Sequence, residues 1–193
     1  SARWTKGRFE VFDGPHNGLV ENFRSLLQRD NIDADFVAFA DQDDIWRPEK
    51  CEKAVAWLNA QDPAKPALFC SRVELIDVNG RPTGLSPLFS GPTDLRNALV
   101  QSIAGGNTMV MNRAAHQLLR EAAKRTSFVI HDWWAYLLVA AAGGQIHYSP
   151  EPSLLYRQHG GNVIGANTSW LGRLQRLEPL LAGRFAGWTD QNL

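Results

Sequence analysis

An excess of either charge is missing from this sequence. Twenty Lys and Arg balance twenty Asp and Glu over 193 residues, for a formal net charge of zero. A phosphate backbone is bound through a cationic excess, so the balance argues against general nucleic-acid binding. Long apolar runs are also missing. The longest helical apolar stretch, Trp133 to Gly143, falls short of the roughly 20 residues that cross a bilayer. Ser1 to Arg8 is polar and basic with no apolar centre, so no secretory signal is visible there. Cysteine is scarce: Cys51 and Cys70 form neither a CxxC nor a metal-ligand spacing, and a reduced cytosolic setting is the plain reading. Hydrophobic residues, by contrast, make up 44% of the chain and charged ones 21%, the balance of a globular protein. Seven tryptophans offer flat faces for packing, for interfaces or for sugars.

Strand-like and helix-like segments alternate. Glu10 to Phe12 reads as a short strand, and Leu19 to Arg29 carries apolar residues at helical spacing. Phe36 to Ala40 is a continuous apolar run suited to a buried parallel strand, and it stops abruptly at Asp41-Gln42-Asp43-Asp44. Pro48 opens a helix to about Asn59. Ala67 to Ile76 reads as one strand, Asp94 to Ser102 as a short helix and Thr108 to Met111 as a strand. Asn112 is the expected N-cap of a helix over Arg113 to Lys124. Ile130 to Ala142 is an apolar helix closed by Gly143-Gly144, and two short strands follow at Ile146 to Tyr148 and Leu154 to Arg157. The alternation predicts an α/β fold with a parallel or mixed sheet, and such sheets bind ligands at the carboxyl ends of their strands. That rule singles out Asp41 to Asp44.

Four constellations carry candidate chemistry. Three carboxylates within Asp41-Gln42-Asp43-Asp44 repel one another, and a hard divalent cation would relieve them; a solvated acidic turn capping the next helix is the plain alternative. In His131-Asp132-Trp133-Trp134 the carboxylate begins an apolar helix, where a capping Asp is ordinary. Beside two indoles it also suits removal of a proton from a sugar hydroxyl while the rings stack on the sugar. Tyr156-Arg157-Gln158-His159-Gly160-Gly161-Asn162 sets a guanidinium, an imidazole and two amides around a glycine loop, fit for phosphate or metal but also for a surface turn. Gly105-Gly106-Asn107-Thr108 permits close backbone approach to a ligand, or simply a tight strand entry. His16, His116 and His147 read as structural or surface residues.

Taken in order, Ala40 to Lys50, Gly105 to Thr108 with Asn112-Arg113, His131 to Trp134 and Tyr156 to Val163 resemble the motifs of family 2 glycosyltransferases. The segment Asp41-Gln42-Asp43-Asp44-Ile45-Trp46 resembles their DxD segment, and the set is most similar to the rhamnosyltransferase-like branch. The resemblance covers roughly Glu10 to Trp170. It implies a GT-A-like, Rossmann-like mixed sheet flanked by helices, and inverting transfer of a sugar from a nucleotide-diphosphate-sugar donor. The acceptor implied is a hydroxyl of a bacterial surface glycan, free or lipid-linked. Asp43 would ligate Mg²⁺ or Mn²⁺, with His159 as a second metal or diphosphate ligand. Asp41 would face the ribose or the metal shell, and Arg157 and Asn162 would support His159 in closing the site. Asp132 would be the general base. Gly105, Gly106, Asn107, His131, Trp133 and Trp134 would line the acceptor side.

Family members open with a strand and a Thr-Tyr-Asn-type loop, then a strand ending in an Asp-Asp-Gly-type segment, and nothing before Glu10 matches them. Residues 1–168 are therefore expected to be an N-terminally truncated GT-A domain holding the metal and acceptor parts. A sheet begun inside the domain would expose an edge, which favours self-association. Residues 169–193 read as an amphipathic helix, with Trp170, Leu171, Leu174, Leu177, Leu181, Phe185 and Trp188 recurring at helical spacing and Arg173, Arg176 and Arg184 between them. It either packs on the domain or lies on the inner face of the cytoplasmic membrane. Two other functions fit the motifs: a glycan- or nucleotide-sugar-binding module without turnover, and a metal-dependent phosphohydrolase.

Overall fold

The structure is a computed structural model and describes residues 7–158. His159, Asn162 and the expected helix over 169–193 lie outside the described residues.

The elements follow in the order α1 (Gly18–Leu27), β1 (Phe36–Ala38), β2 (Ile45–Trp46), α2 (Lys50–Asn59), β3 (Ala67–Ser71), β4 (Glu74–Ile76) and β5 (Pro82–Leu85). Then come α3 (Leu95–Ala98), a single 3₁₀ turn (Gly106–Thr108), β6 (Val110–Asn112), α4 (Arg113–Ala123), α5 (His131–Ala141), β7 (Gln145–Ser149) and β8 (Leu154–Arg157). This is a mixed α/β fold with two four-stranded sheets, ordered β1-β6-β3-β7 and β2-β8-β4-β5. In the first, β3 runs antiparallel to β6 and parallel to β7, and β1 adds antiparallel to the far side of β6.

Period-two alternation sorts the first sheet's side chains into two layers. Ala67 and Phe69 of β3, Val110 of β6 and Phe36 and Ala38 of β1 meet Ala54 and Leu58 of α2. Leu68, Cys70, Met111 and Val37 point the other way, into the larger core built with Leu119 of α4 and Tyr136 and Val139 of α5. Both faces of β3 are therefore covered, and all five of its residues are buried.

Local chemistry sets the helix ends. The Asn112 side chain accepts from the Ala115 amide at 2.9 Å, as an N-cap should. The same oxygen accepts from the Ala67 amide, and its Nδ2 donates to the Lys65 carbonyl, so one residue starts α4 and anchors β3. At the end of α5, Gly143 takes φ +67°. Gly144 N–H reaches Val139 O and Gly143 N–H reaches Ala140 O, the paired bonds of a Schellman close.

Four expectations need correction. Glu10 to Phe12 forms no strand; Phe9 and Val11 stay exposed with no neighbouring strand to pair with among the described residues. Phe36 to Ala40 is only three residues of strand, antiparallel rather than parallel. The single strand over Ala67 to Ile76 is two strands in two sheets. Its partner chain carries Pro150 and Pro152, which lack the N–H that a continuous ladder needs. The parallel pair β3 and β7 therefore breaks, and resumes as β4 and β8 in the second sheet. Finally, Gly106 to Thr108 is a 3₁₀ turn, so β6 starts at Val110. Among the described residues no helix is long and apolar enough to cross a membrane.

Candidate functional site

The chain leaves β1 through Phe39 and Ala40, turns at Asp41 to Asp44, and re-enters regular structure at β2. Asp44 secures that turn. One carboxylate oxygen accepts from the Arg157 amide at 3.2 Å, and the other accepts from Asn107 Nδ2. The turn thus contacts both β8 and the 3₁₀ turn before β6. The Arg157 guanidinium adds a second tie, donating from Nε to Asp43 O at 3.1 Å and from Nη1 to the Val78 carbonyl at 3.1 Å.

Asp132 begins α5 and approaches the same place from the opposite element. Its Oδ2 accepts from the Gly106 amide at 3.1 Å and its Oδ1 from the Trp133 amide at 2.6 Å. Glycine is required at 106. A Cβ there would run into His131 Nε2 and stand 3.3 Å from Asp132 Cβ. His131 is a buried spacer. It stacks on Phe23 at 3.8 Å between centroids and sits edge-on to Phe39, and its Nε2 has no hydrogen-bond partner among the described residues.

Burial and crowding perturb the carboxyls. Asp132 is raised to about 6, by burial, against the hydrogen bonds from Trp133 and Gly106. Asp41 is raised to about 6 by burial and by the charges of Asp44, Asp43 and Asp132 around it. The two acidic motifs, some ninety residues apart in the chain, therefore lie within each other's field. Asp44 is also raised by burial, against its hydrogen bonds to Asn107 and Arg157. His131 is lowered to about 4 by burial and stays neutral at physiological pH.

A lysine lies inside this acidic site. Lys50 is 1% exposed, its Nζ lies 3.5 Å over the Trp46 ring, and it donates to the Asn107 carbonyl. Burial lowers it to about 8, against the pull of Asp44 and Asp41. Neither Lys50 nor the latch role of Asp44 was expected from the sequence. The signal available was a cation six residues beyond three clustered carboxylates.

Of the residues singled out by sequence, the fold brings together Asp41, Asp43, Gly106, Asn107, His131, Asp132 and Arg157, with Gly105 leading into the same turn. Trp133 and Trp134 are corrected to core residues. Trp133 is 4% exposed with its Nε1 donating to Ala98 O at 2.6 Å, and Trp134 is 1% exposed and stacked on Phe128. Neither ring has an open face for a sugar.

Among the described residues, no three His, Cys, Asp or Glu side chains converge as a ready-made metal cage. The donors that do gather are carboxylates. An all-oxygen set with few protein ligands suits Mg²⁺ or Mn²⁺, which keep water and substrate phosphate as ligands. Burial is the main cause of the raised Asp41, and the added repulsion from Asp44, Asp43 and Asp132 is what such a cation would relieve.

No protein-family model matches the chain. It is 27% identical, in a 169-position alignment that covers 83% of the chain, to the dTDP-rhamnosyl transferase RfbG of Shigella flexneri. The chain spans only 56% of that relative's length. The likeness is distant.

Proposed function

We propose that this chain carries the catalytic-base and metal side of an inverting glycosyltransferase. The donor is a nucleotide-diphosphate-sugar, rhamnose or a related sugar on a diphosphate such as dTDP, and the acceptor is a hydroxyl of a bacterial surface glycan. One observation carries the reading: the half-buried Asp132 carboxyl, held by the Gly106 and Trp133 amides and raised to about 6, lies beside the acidic turn of Asp41 to Asp44.

A base must be ionised at working pH yet hold a proton well once it takes one. Asp132 meets both conditions at neutral pH, with two N–H donors fixing the direction of its remaining lone pairs. Asp132 takes the acceptor proton as the acceptor oxygen bonds to the anomeric carbon. The bond from that carbon to the diphosphate oxygen breaks on the opposite face, which inverts the centre. Asp43, with His159, would hold Mg²⁺ or Mn²⁺, which supplies positive charge to the departing diphosphate. Asp44 serves the shape of the turn, each of its oxygens accepting one hydrogen bond, from Asn107 and from Arg157.

The test is incubation of the protein with dTDP-rhamnose, Mn²⁺ and rhamnose-containing glycan acceptors, with mass spectrometry of the products. Acceptor-dependent addition of one deoxyhexose, lost in Asp132→Asn while Mn²⁺-dependent dTDP binding persists, supports the reading. Phosphate release that needs no acceptor and survives Asp132→Asn overturns it in favour of a phosphohydrolase. Donor binding without any turnover overturns it in favour of a binding module.

A further inference from the structure

Lys50 occupies a position that should reject a lysine. It is the first residue of α2, where the positive end of the helix dipole disfavours a cation. It is almost fully buried, and an ammonium loses strong hydration there. What surrounds the ammonium is specific: the Asn107 carbonyl, the face of Trp46, and the charges of Asp41 and Asp44. These partners come from two segments far apart in sequence: the acidic turn with the β2 strand that continues it, and the glycine loop. Asn107 is held at both ends, its backbone oxygen by Lys50 and its side-chain nitrogen by Asp44.

We propose that Lys50 is a positioning residue that joins the acidic turn to the Gly105–Asn107 loop and holds the turn in the shape that accepts a divalent cation. The inference rests on the metal-dependent reading above, and its test separates the two. Lys50 touches neither the transferred sugar nor the acceptor in this scheme. It acts through Asn107 and Asp44, and through Asn107 it also sets the loop whose Gly106 amide orients Asp132.

The sign of the effect makes the idea testable. If Lys50 acted only as a nearby positive charge, removing it would tighten cation binding, because like charges repel. If it positions the turn, removing it loosens both turn and loop and weakens binding. The full chain is compared with Lys50→Met and Lys50→Arg, using Mn²⁺ alone as probe and the electron paramagnetic resonance of free Mn²⁺ as readout. Amide hydrogen exchange at Gly106 to Met109 is followed in parallel. Lys50→Met is expected to weaken Mn²⁺ binding about tenfold, the scale of one charge-assisted hydrogen bond, and to speed exchange in the loop. Lys50→Arg, which keeps a cation able to stack on Trp46 and to donate to Asn107 O, is expected to restore most of both. Lys50→Leu, which likewise lacks both charge and donor, replaces Lys50→Met if that variant does not fold.

Unchanged or tighter Mn²⁺ binding in the neutral variant overturns the positioning role. Wild-type protein that takes up no Mn²⁺ overturns the metal-dependent reading instead, and loop exchange in the same variants then decides alone whether Lys50 joins turn to loop.

Discussion

The backbone amide of Gly106 donates to the carboxylate of Asp132 across 26 residues of sequence, at 3.1 Å. The bond is possible because Gly106 lacks a side chain: a Cβ would occupy the space of His131 Nε2. Glycine, histidine and aspartate are thus locked as one unit, with the imidazole wedged between the Gly106 backbone and the Phe23 ring.

Gly106→Ala is expected to destabilise the protein by about 1–3 kcal/mol through overpacking, and to displace the amide from Asp132. His131→Ala should cost stability alone but suppress part of the Gly106→Ala defect in the double variant. Thermal melts of the four proteins check this. Simple addition of the two single effects would show that the residues do not share the space.

The raised carboxyls make stability pH-dependent. Asp132 and Asp41 release their protons near 6 in the folded protein against 3.8 in an unfolded chain. Between those values the folded state holds protons that the unfolded state has lost. Their contribution is fully present below the unfolded value and is lost as pH rises through 6. Asp132→Asn removes that penalty and should raise stability at pH 8 by about 1–2 kcal/mol, allowing for partial solvent screening. The gain should vanish by pH 4. Denaturation at the two pH values reads the difference, and an equal effect at both would exclude the buried charge as its source.

Transfer activity should rise with pH along a limb centred near 6, as Asp132 ionises. His131 adds no second limb in this range, because burial holds it near 4. A rate profile between pH 5 and 8 in donor-saturating conditions measures it; a flat profile counts against Asp132 as the base.

Asn112→Ala removes the cap of α4 and leaves the Ala67 amide unpaired in the core. The expected cost is about 2–4 kcal/mol, one cap plus one buried orphan donor. Urea denaturation gives the number. A change below 1 kcal/mol, on the scale of a surface site, would mean that water repairs both bonds.

Trp133→Phe should lower stability through loss of the bond to Ala98 O, with no change in affinity for rhamnose-containing glycans. Melting together with glycan titration separates the core role from a sugar-stacking one. Weakened glycan binding in a variant that melts normally would restore the sugar-facing role.

Where local rules act alone, the sequence reads well. Asn112 before an amphipathic run, Gly143-Gly144 after an apolar one, and the apolar stretch beginning at Ala67 all announce their elements. Asp41 and Asp132 were legible as candidates because carboxylates at strand and helix ends are chemically conspicuous. Other features depend on distant partners. β2 is two residues long and exists only because β8 pairs with it. β5 contains Pro82 and Gly84, tolerated because it is an edge strand. The two indoles looked available beside an acid, yet α5 is apolar on nearly every face, the pattern of a helix enclosed by protein. Lys50 reads as an ordinary surface lysine until Asn107, 57 residues further on, closes over it.

Asp44 takes one hydrogen bond from Asn107, just before the first sheet's β6, and another from Arg157 in the second sheet. The latch therefore needs both sheets in place. The shape of the acidic turn is thus a property of the two sheets together, and a change that loosens the seating of either sheet reaches Asp41 to Asp44 without touching them.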